Sequence, residues 1–340
     1  MHNRSVPVRW AVIGCLALSL PSMALGEEEA PDLQRPTPHY PEDADETERE
    51  ALDRLAAELR GAAYYTRKGH IRRVVIGDWR EFDLGEGEHV RCGPEGRHLA
   101  VFHKRKVYLA DAVTGERKKV VAEKADKARN GCPIEFHPNG REIVYLDGGR
   151  FHAVDIETGE VRKLNAPGKY GGAPCVSADG TRMAARSGHN LYAIDLESGR
   201  HIKYARGCSP GISPNGKALM NNVGGHNKLI IRPWDGSDKK TLDADTCKPD
   251  RKWDNHHWSN HDDYVTAQGE DRGGYSYVVR VSTGRGTRIT WEGDTHYPDL
   301  WVAPERPAED DAPQVEDEAG SEEPESADGA ETERAPAEEH

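Results

Sequence analysis

Apolar and polar residues alternate in short runs separated by turn signals, and the runs fall into one module that recurs along the chain. Its clearest copy begins Cys132-Pro-Ile-Glu-Phe-His-Pro-Asn-Gly140 and continues through Arg141–Leu146, Arg150–Asp155, the turn Glu157-Thr-Gly-Glu160 and Val161–Leu164. This predicts a strand, a Pro-Asn-Gly turn, a second strand, a Gly-Gly turn, a third strand ending in Asp, a Thr-Gly turn and a fourth strand. Such a module cannot bury both of its faces alone, so its recurrence defines the architecture. The residue before the first turn serves as an anchor, and its equivalents are Cys92, Phe136, Val176, Ile212, Trp258 and Leu300. The spacings of 44, 40, 36, 46 and 42 residues match the period of a propeller blade. A second landmark keeps the same phase: Val113-Thr-Gly-Glu116, Glu157-Thr-Gly-Glu160, Glu197-Ser-Gly-Arg200, Trp234-Asp-Gly-Ser237 and Ser282-Thr-Gly-Arg285.

The two ends of this region complete each other. Ala62–Thr66, His70–Ile76 and Arg80–Leu84 read as three strands without a first, whereas His296–Val302 is a first strand without the other three. The expected fold is therefore an all-β, six-bladed propeller over 62–302, its last blade closed by a clasp of the N- and C-terminal strands. Before it, a capping box at Thr47-x-x-Glu50 and apolar residues Leu52, Leu55, Ala56 and Leu59 predict a short amphipathic helix over 45–61.

The turns Ser-Ala-Asp-Gly180 and Ser-Pro-Asn-Gly216 resemble the Ser-Pro-Asp-Gly of the WD-repeat-like blades in TolB-like bacterial propellers. The resemblance covers roughly residues 62–302 and implies the fold; the chain departs from TolB in having only a short segment before the propeller. A second similarity, to oligogalacturonate lyase propellers, rests on His296-Tyr-Pro, on His256-His257 and on Gln268. It implies a divalent metal held by His and Gln at the channel mouth. A lyase would also need a base and a cation for the substrate carboxylate, for which Arg91 and Lys169 are the candidates.

Charge narrows the partners. The formal net charge is −13, but residues 303–340 hold 15 Asp and Glu against Arg306 and Arg334, a net of −13. The rest of the chain, residues 1–302, is thus formally neutral, which argues against a polyanion such as nucleic acid as partner. Those residues read as an acidic disordered tail, and 27–44 as a disordered linker. Arg4 and Arg9, the apolar Ala11–Leu20 and the small residues Ala24-Leu-Gly26 read as a signal peptide over 1–26. The alternative is a lipid anchor at Cys15 within Val12-Ile-Gly-Cys15. The signal peptide makes the expected location periplasmic or secreted; no other stretch could cross a bilayer, and a monomer is expected. Export permits disulfides, and Cys92, Cys132, Cys175, Cys208 and Cys247 suggest one or two bridges with a free thiol left over.

Candidate chemistry lies at the channel mouth. Four residues before each anchor, the entrance position holds Glu88, Cys132, Gly172, Cys208, Asp254 and His296, five of which can ligate a metal. The alternative is that these residues simply start strands. The most unusual stretch, Trp253-Asp-Asn-His-His-Trp-Ser-Asn-His261, replaces an apolar strand with histidines between tryptophans. In an extended strand His256 and His257 point to opposite faces, so at most one looks into the channel. Trp253, His256, His257, Trp258 and His296 are the candidate ligand-binding residues. His256, His257, His296, Cys132, Cys208 and Asp254 are candidates for a divalent transition metal. The carboxylate pairs Asp262-Asp263 and Glu270-Asp271 read as solvated turn residues, and nucleophile elbows, phosphate loops and zinc-protease motifs are missing from the sequence. The expected function is a binding or scaffold module for a protein or glycan ligand. The alternatives are a metal-dependent, lyase-like enzyme acting on polysaccharide, and a structural ring whose acidic tail makes the contacts.

Overall fold

The computed structural model describes residues 38–304 apart from 129–130, 224, 236, 238 and 245–248. The expected signal peptide, most of the linker and nearly all of the acidic tail lie outside the described residues. Six four-stranded antiparallel sheets form the blades. Blade 1 combines β1 (Gly61–Arg67), β2 (His70–Val75) and β3 (Glu81–Glu86) with the C-terminal β24 (Thr295–Val302). Blade 2 runs from β4 (His89–Cys92) to β7 (Arg117–Ala122), and blade 3 from β8 (Ile134–Phe136) to β11 (Val161–Lys163). Blade 4 runs from β12 (Gly172–Val176) to β15 (His201–Arg206), and blade 5 from β16 (Gly211–Ile212) through β17 (Ala218–Asn222) and β18 (Lys228–Pro233) to β19 (Lys240–Asp243). Blade 6 comprises β20 (Trp253–Trp258), β21 (Tyr264–Gly269), β22 (Ser276–Arg280) and β23 (Arg285–Arg288). Five of the innermost strands end on the anchors Cys92, Phe136, Val176, Ile212 and Trp258.

Each buried apolar cluster joins two neighbouring blades. Phe102 and Leu109 of blade 2 meet Ile134 and Tyr145 of blade 3, for example, and Met220 and Leu229 of blade 5 meet Trp253 and Val265 of blade 6. No blade has a core of its own, as expected for a radial repeat that hides its faces against its neighbours. The Thr-Gly landmark has a local cause: Asp111 and Asp155 each accept bonds from the backbone N–H groups two and three residues on, fixing the turn into the fourth strand.

The closing seam is the most reinforced. Gly61 pairs with Val302, Ala63 with Leu300 and Tyr64 with Asp299, so chain ends more than 200 residues apart share one sheet. Helix α1 (Glu46–Glu58) lies over the seam between blades 1 and 6, where Leu52, Leu55 and Leu59 pack with Tyr65, Ile289 and Val302. Two ion pairs tie it to blade 6, Glu48 with Arg288 at 2.6 Å and Glu58 with Arg280 at 3.1 Å. Its start differs from the expected Thr47 box. Asp45 is extended and accepts from the Glu48 N–H, and Glu48 returns a carboxylate to the Asp45 N–H. The turn from Pro41 to buried Ala44 sets this frame. The helix also stops short of the expected end, because Leu59 is already extended and Gly61 begins β1.

Gly61 has φ +152, and a Cβ there would stand 2.0 Å from the Trp301 carbonyl oxygen. Gly61→Ala should therefore lower the unfolding free energy by more than ~1 kcal/mol in a urea titration. Gly171→Ala, with open space around it, should stay within about 0.5 kcal/mol of wild type. Equal midpoints for the two variants would refute the close approach of strands at the seam.

Cys92, Cys132, Cys175 and Cys208 are unpaired thiols. The bridges expected from an exported chain are not formed among the described residues, because these four cysteines sit in four different blades, Cys132 and Cys208 sharing the entrance position but two blades apart; Cys247 lies outside the described residues.

Candidate functional site

One position in the repeat decides the interior of the channel. The residue immediately before each anchor is Arg91, Glu135, Cys175, Gly211, His257 and Asp299 in blades 2 to 6 and 1. Arg91, Glu135, His257 and Asp299 are all buried, and they form one ionic belt. As an imidazolium, His257 donates from Nδ1 to Asp299 at 2.9 Å and from Nε2 to Glu135 at 2.8 Å. The Arg91 guanidinium lies 3.5 Å from Glu135, and Asp299 also accepts the Cys92 N–H at 2.6 Å and its neighbour Leu300 N–H at 3.0 Å. Two cations face two anions, so the belt is neutral and its buried charges are paired. Burial and Arg91 oppose protonation of His257, but Glu135 and Asp299 outweigh them and hold its pKa well above the usual value. Burial likewise opposes ionisation of Asp299, yet His257, Arg91 and the Cys92 N–H keep its pKa below the ordinary carboxylate range.

The belt divides the channel into two cups that share Cys175 and His257. The cup at the turn end, about 140 Å³, is walled by Pro94, Phe136, Pro138, Ile212, Pro214 and Trp258. The cup at the entrance end, about 120 Å³, is polar and includes Arg91, Arg186, Ser209, Asp254, Asn255 and His256.

The candidate residues fall into separate places. His257 is in the belt, and Trp258 lines the apolar cup with its indole N–H donated to the Asp262 carbonyl. Trp253 is fully buried in the seam between blades 5 and 6, leaving no ring face for a ligand. His256 lines the entrance cup edge-on to Trp253, with neither ring nitrogen hydrogen-bonded among the described residues. Burial depresses its pKa to about 3, so it is neutral. His296 is on the rim with Asp294 and the Gln268 amide. Cys132 is buried in the seam between blades 2 and 3, and burial raises its pKa to about 11. Of the six metal candidates, Cys208 and Asp254 come together, and the residue that joins them, His226, was not among the candidates.

Of the four belt residues, the sequence points to His257 and Arg91 one at a time and for other roles, and Glu135 and Asp299 are not among its candidates. The signal was present: four ionisable residues of opposite sign recur in one phase of otherwise apolar strands. A second effect hid the geometry. Ala173, Ser209, Asn255 and Tyr297, each three before its anchor, take φ of +55, +52, +47 and +53. Pairing with the second strand slips there in blades 4 and 6, so alternation cannot be carried from one position to the other.

No protein-family model matches the sequence, and no characterised protein sequence does. Solved structures are similar at the level of fold. TolB from Acinetobacter baumannii superposes with a TM-score of 0.56 at 16% identity over 71% of this chain, which spans 66% of that protein's length. A TolB candidate from Agrobacterium tumefaciens gives 0.50 at 15% identity over 73% of this chain and 99% of that one. A chain of a nidogen–laminin complex gives 0.55 at 9% identity, covering 70% and 97%. With its six blades and its closing strand from the C-terminus, the chain has the fold of a TolB-like β-propeller.

Proposed function

We propose that this protein is an exported binding module whose ligand is a segment of a partner protein seated in the apolar cup at the turn end of the channel. The observation that carries the reading is the cup itself: an apolar wall over a charged but internally neutralised floor. Its roughly 140 Å³ is well under the about 300–1,000 Å³ of small-molecule pockets, so it suits one or two apolar side chains of a docked segment. A glycan is disfavoured because it needs convergent polar groups, and the Trp258 and Trp301 N–H groups are already donated to Asp262 and Pro94. That a propeller of similar fold stands in a nidogen–laminin complex agrees with a docking role, and the TolB-like fold agrees with a periplasmic address. No helix among the described residues is long and apolar enough to cross a membrane.

Ala178 and Pro214 line this cup near its rim, where side chains are at least partly exposed. Peptides selected by phage display on the wild-type chain should lose at least tenfold in affinity, ~1.4 kcal/mol, on Ala178→Glu with Pro214→Glu, while the melting transition stays unchanged. Peptides that survive these changes but are lost on removal of residues 305–340 would move binding to the tail. An oligosaccharide bound equally by both forms would restore the glycan reading.

A further inference from the structure

We propose that Cys208, His226 and Asp254 form a binding site for a divalent transition metal of the zinc class, at the entrance end of the channel and independent of the apolar cup. Cys208 and Asp254 hold the same repeat position in neighbouring blades 5 and 6, so ring geometry sets them side by side. The turn between β17 and β18 brings His226 back over them. Sγ of Cys208 is 2.9 Å from Nε2 of His226, and one ligand atom from each of the three residues lies within 4.8 Å of the others. Thiolate, imidazole and carboxylate are the ligand types zinc uses, and three of them leave its fourth tetrahedral position open.

The surrounding groups are arranged as outer partners of such a site. Nδ1 of His226 is 2.6 Å from Glu270, a carboxylate–histidine contact that fixes the tautomer and turns the lone pair of Nε2 towards the ion. Asp254 accepts from the Ser209 hydroxyl at 2.6 Å and from the Asn222 amide at 3.2 Å. The same amide lies 3.9 Å from Sγ. His226 has φ +58, a conformation that costs a non-glycine residue free energy and concentrates at functional sites. Cys208 is 9% exposed whereas His226 and Asp254 are half-buried, so an ion can enter from solvent and close over the thiol.

The same three-residue line, Cys208 to His226 to Glu270, could instead be read as a thiol nucleophile with its base. That role requires a thiolate held by a protonated His226 alone, and the Asp254 carboxylate within the cluster opposes the negative charge on sulfur. A dication offsets both negative charges at once.

The test is a Co²⁺ titration of the full-length mature chain, purified without chelating resin. The expected result is a thiolate-to-cobalt charge-transfer band that saturates at one equivalent, is displaced by Zn²⁺, and disappears in Cys208→Ser. His226→Gln should remove it as well. Glu270→Gln should weaken affinity by about 10- to 100-fold with the fold intact, which keeps the proposal testable if Cys208→Ser fails to fold. Cys175→Ser should leave the band unchanged; that control matters because Glu135, Cys175 and His257 also lie within 4.8 Å of one another in the belt. A band that survives in Cys208→Ser or vanishes in Cys175→Ser would overturn the assignment. So would the absence of any band together with fast alkylation of Cys208 by iodoacetamide, which would favour the nucleophile.

Discussion

A chain ending at Asp294 should lose its cooperative unfolding transition and its near-ultraviolet circular dichroism, whereas one ending at Pro304 should keep both. The missing strand is the whole innermost layer of blade 1. Without it β1, all seven of whose residues are buried, becomes an open apolar edge. Leu300, Trp301 and Val302 are each at least nine-tenths buried. Burying such side chains contributes about 1.5–3 kcal/mol apiece, against a total stability of roughly 5–15 kcal/mol. The Trp301 indole bond to Pro94 and the Asp299 bond to the Cys92 N–H, both of which tie blade 1 to blade 2, go with them. A synthetic peptide covering residues 295–304, added in excess, should restore the transition by adding back the strand. A truncated chain that melts like the full one would show that the ring does not depend on this clasp.

Asp299→Ala should cost about 3–5 kcal/mol in urea unfolding, because it removes one partner from a buried charge network and strands the others. His257 keeps one carboxylate instead of two, and the Cys92 and Leu300 N–H groups lose their acceptor. Asp299→Asn can still accept hydrogen bonds and should cost less. A loss below about 1 kcal/mol for the alanine variant, the level of a surface ion pair, would mean that the belt is solvated. The belt also fixes the sign of the pH dependence. His257 is raised above its unfolded value of about 6.5, so its contribution is full below that pH and is lost as pH rises through the folded value. Asp299 is depressed below about 3.9, so its contribution is present above that pH and is lost as pH falls through the folded value. The stability difference between wild type and Asp299→Ala should therefore be largest between about pH 4 and 6.5 and shrink at alkaline pH. A difference that grows as pH rises above about 6.5 would contradict a protonated His257.

The period of the repeat, the Asp and Gly turn residues and the split blade were legible because they are local: turn chemistry acts over four residues, and the periodicity of the apolar runs needs no partner to be read. From these followed six blades and the pairing of 62–84 with 296–302, including five strand ends at the anchors. What faces the channel was decided elsewhere. The left-handed residues at Ala173, Ser209, Asn255 and Tyr297 interrupt the strands, so alternation did not tell which of His256 and His257 enters the axis. That His257 meets Glu135, 122 residues away, is a consequence of ring closure. His226 and Glu270 stand in turns that nothing in their own sequence marks as chemical. They meet Cys208 and Asp254 only because blades 5 and 6 are neighbours, and contact between side chains across a seam depends on the packing of the ring and not on the residues next to them in the chain.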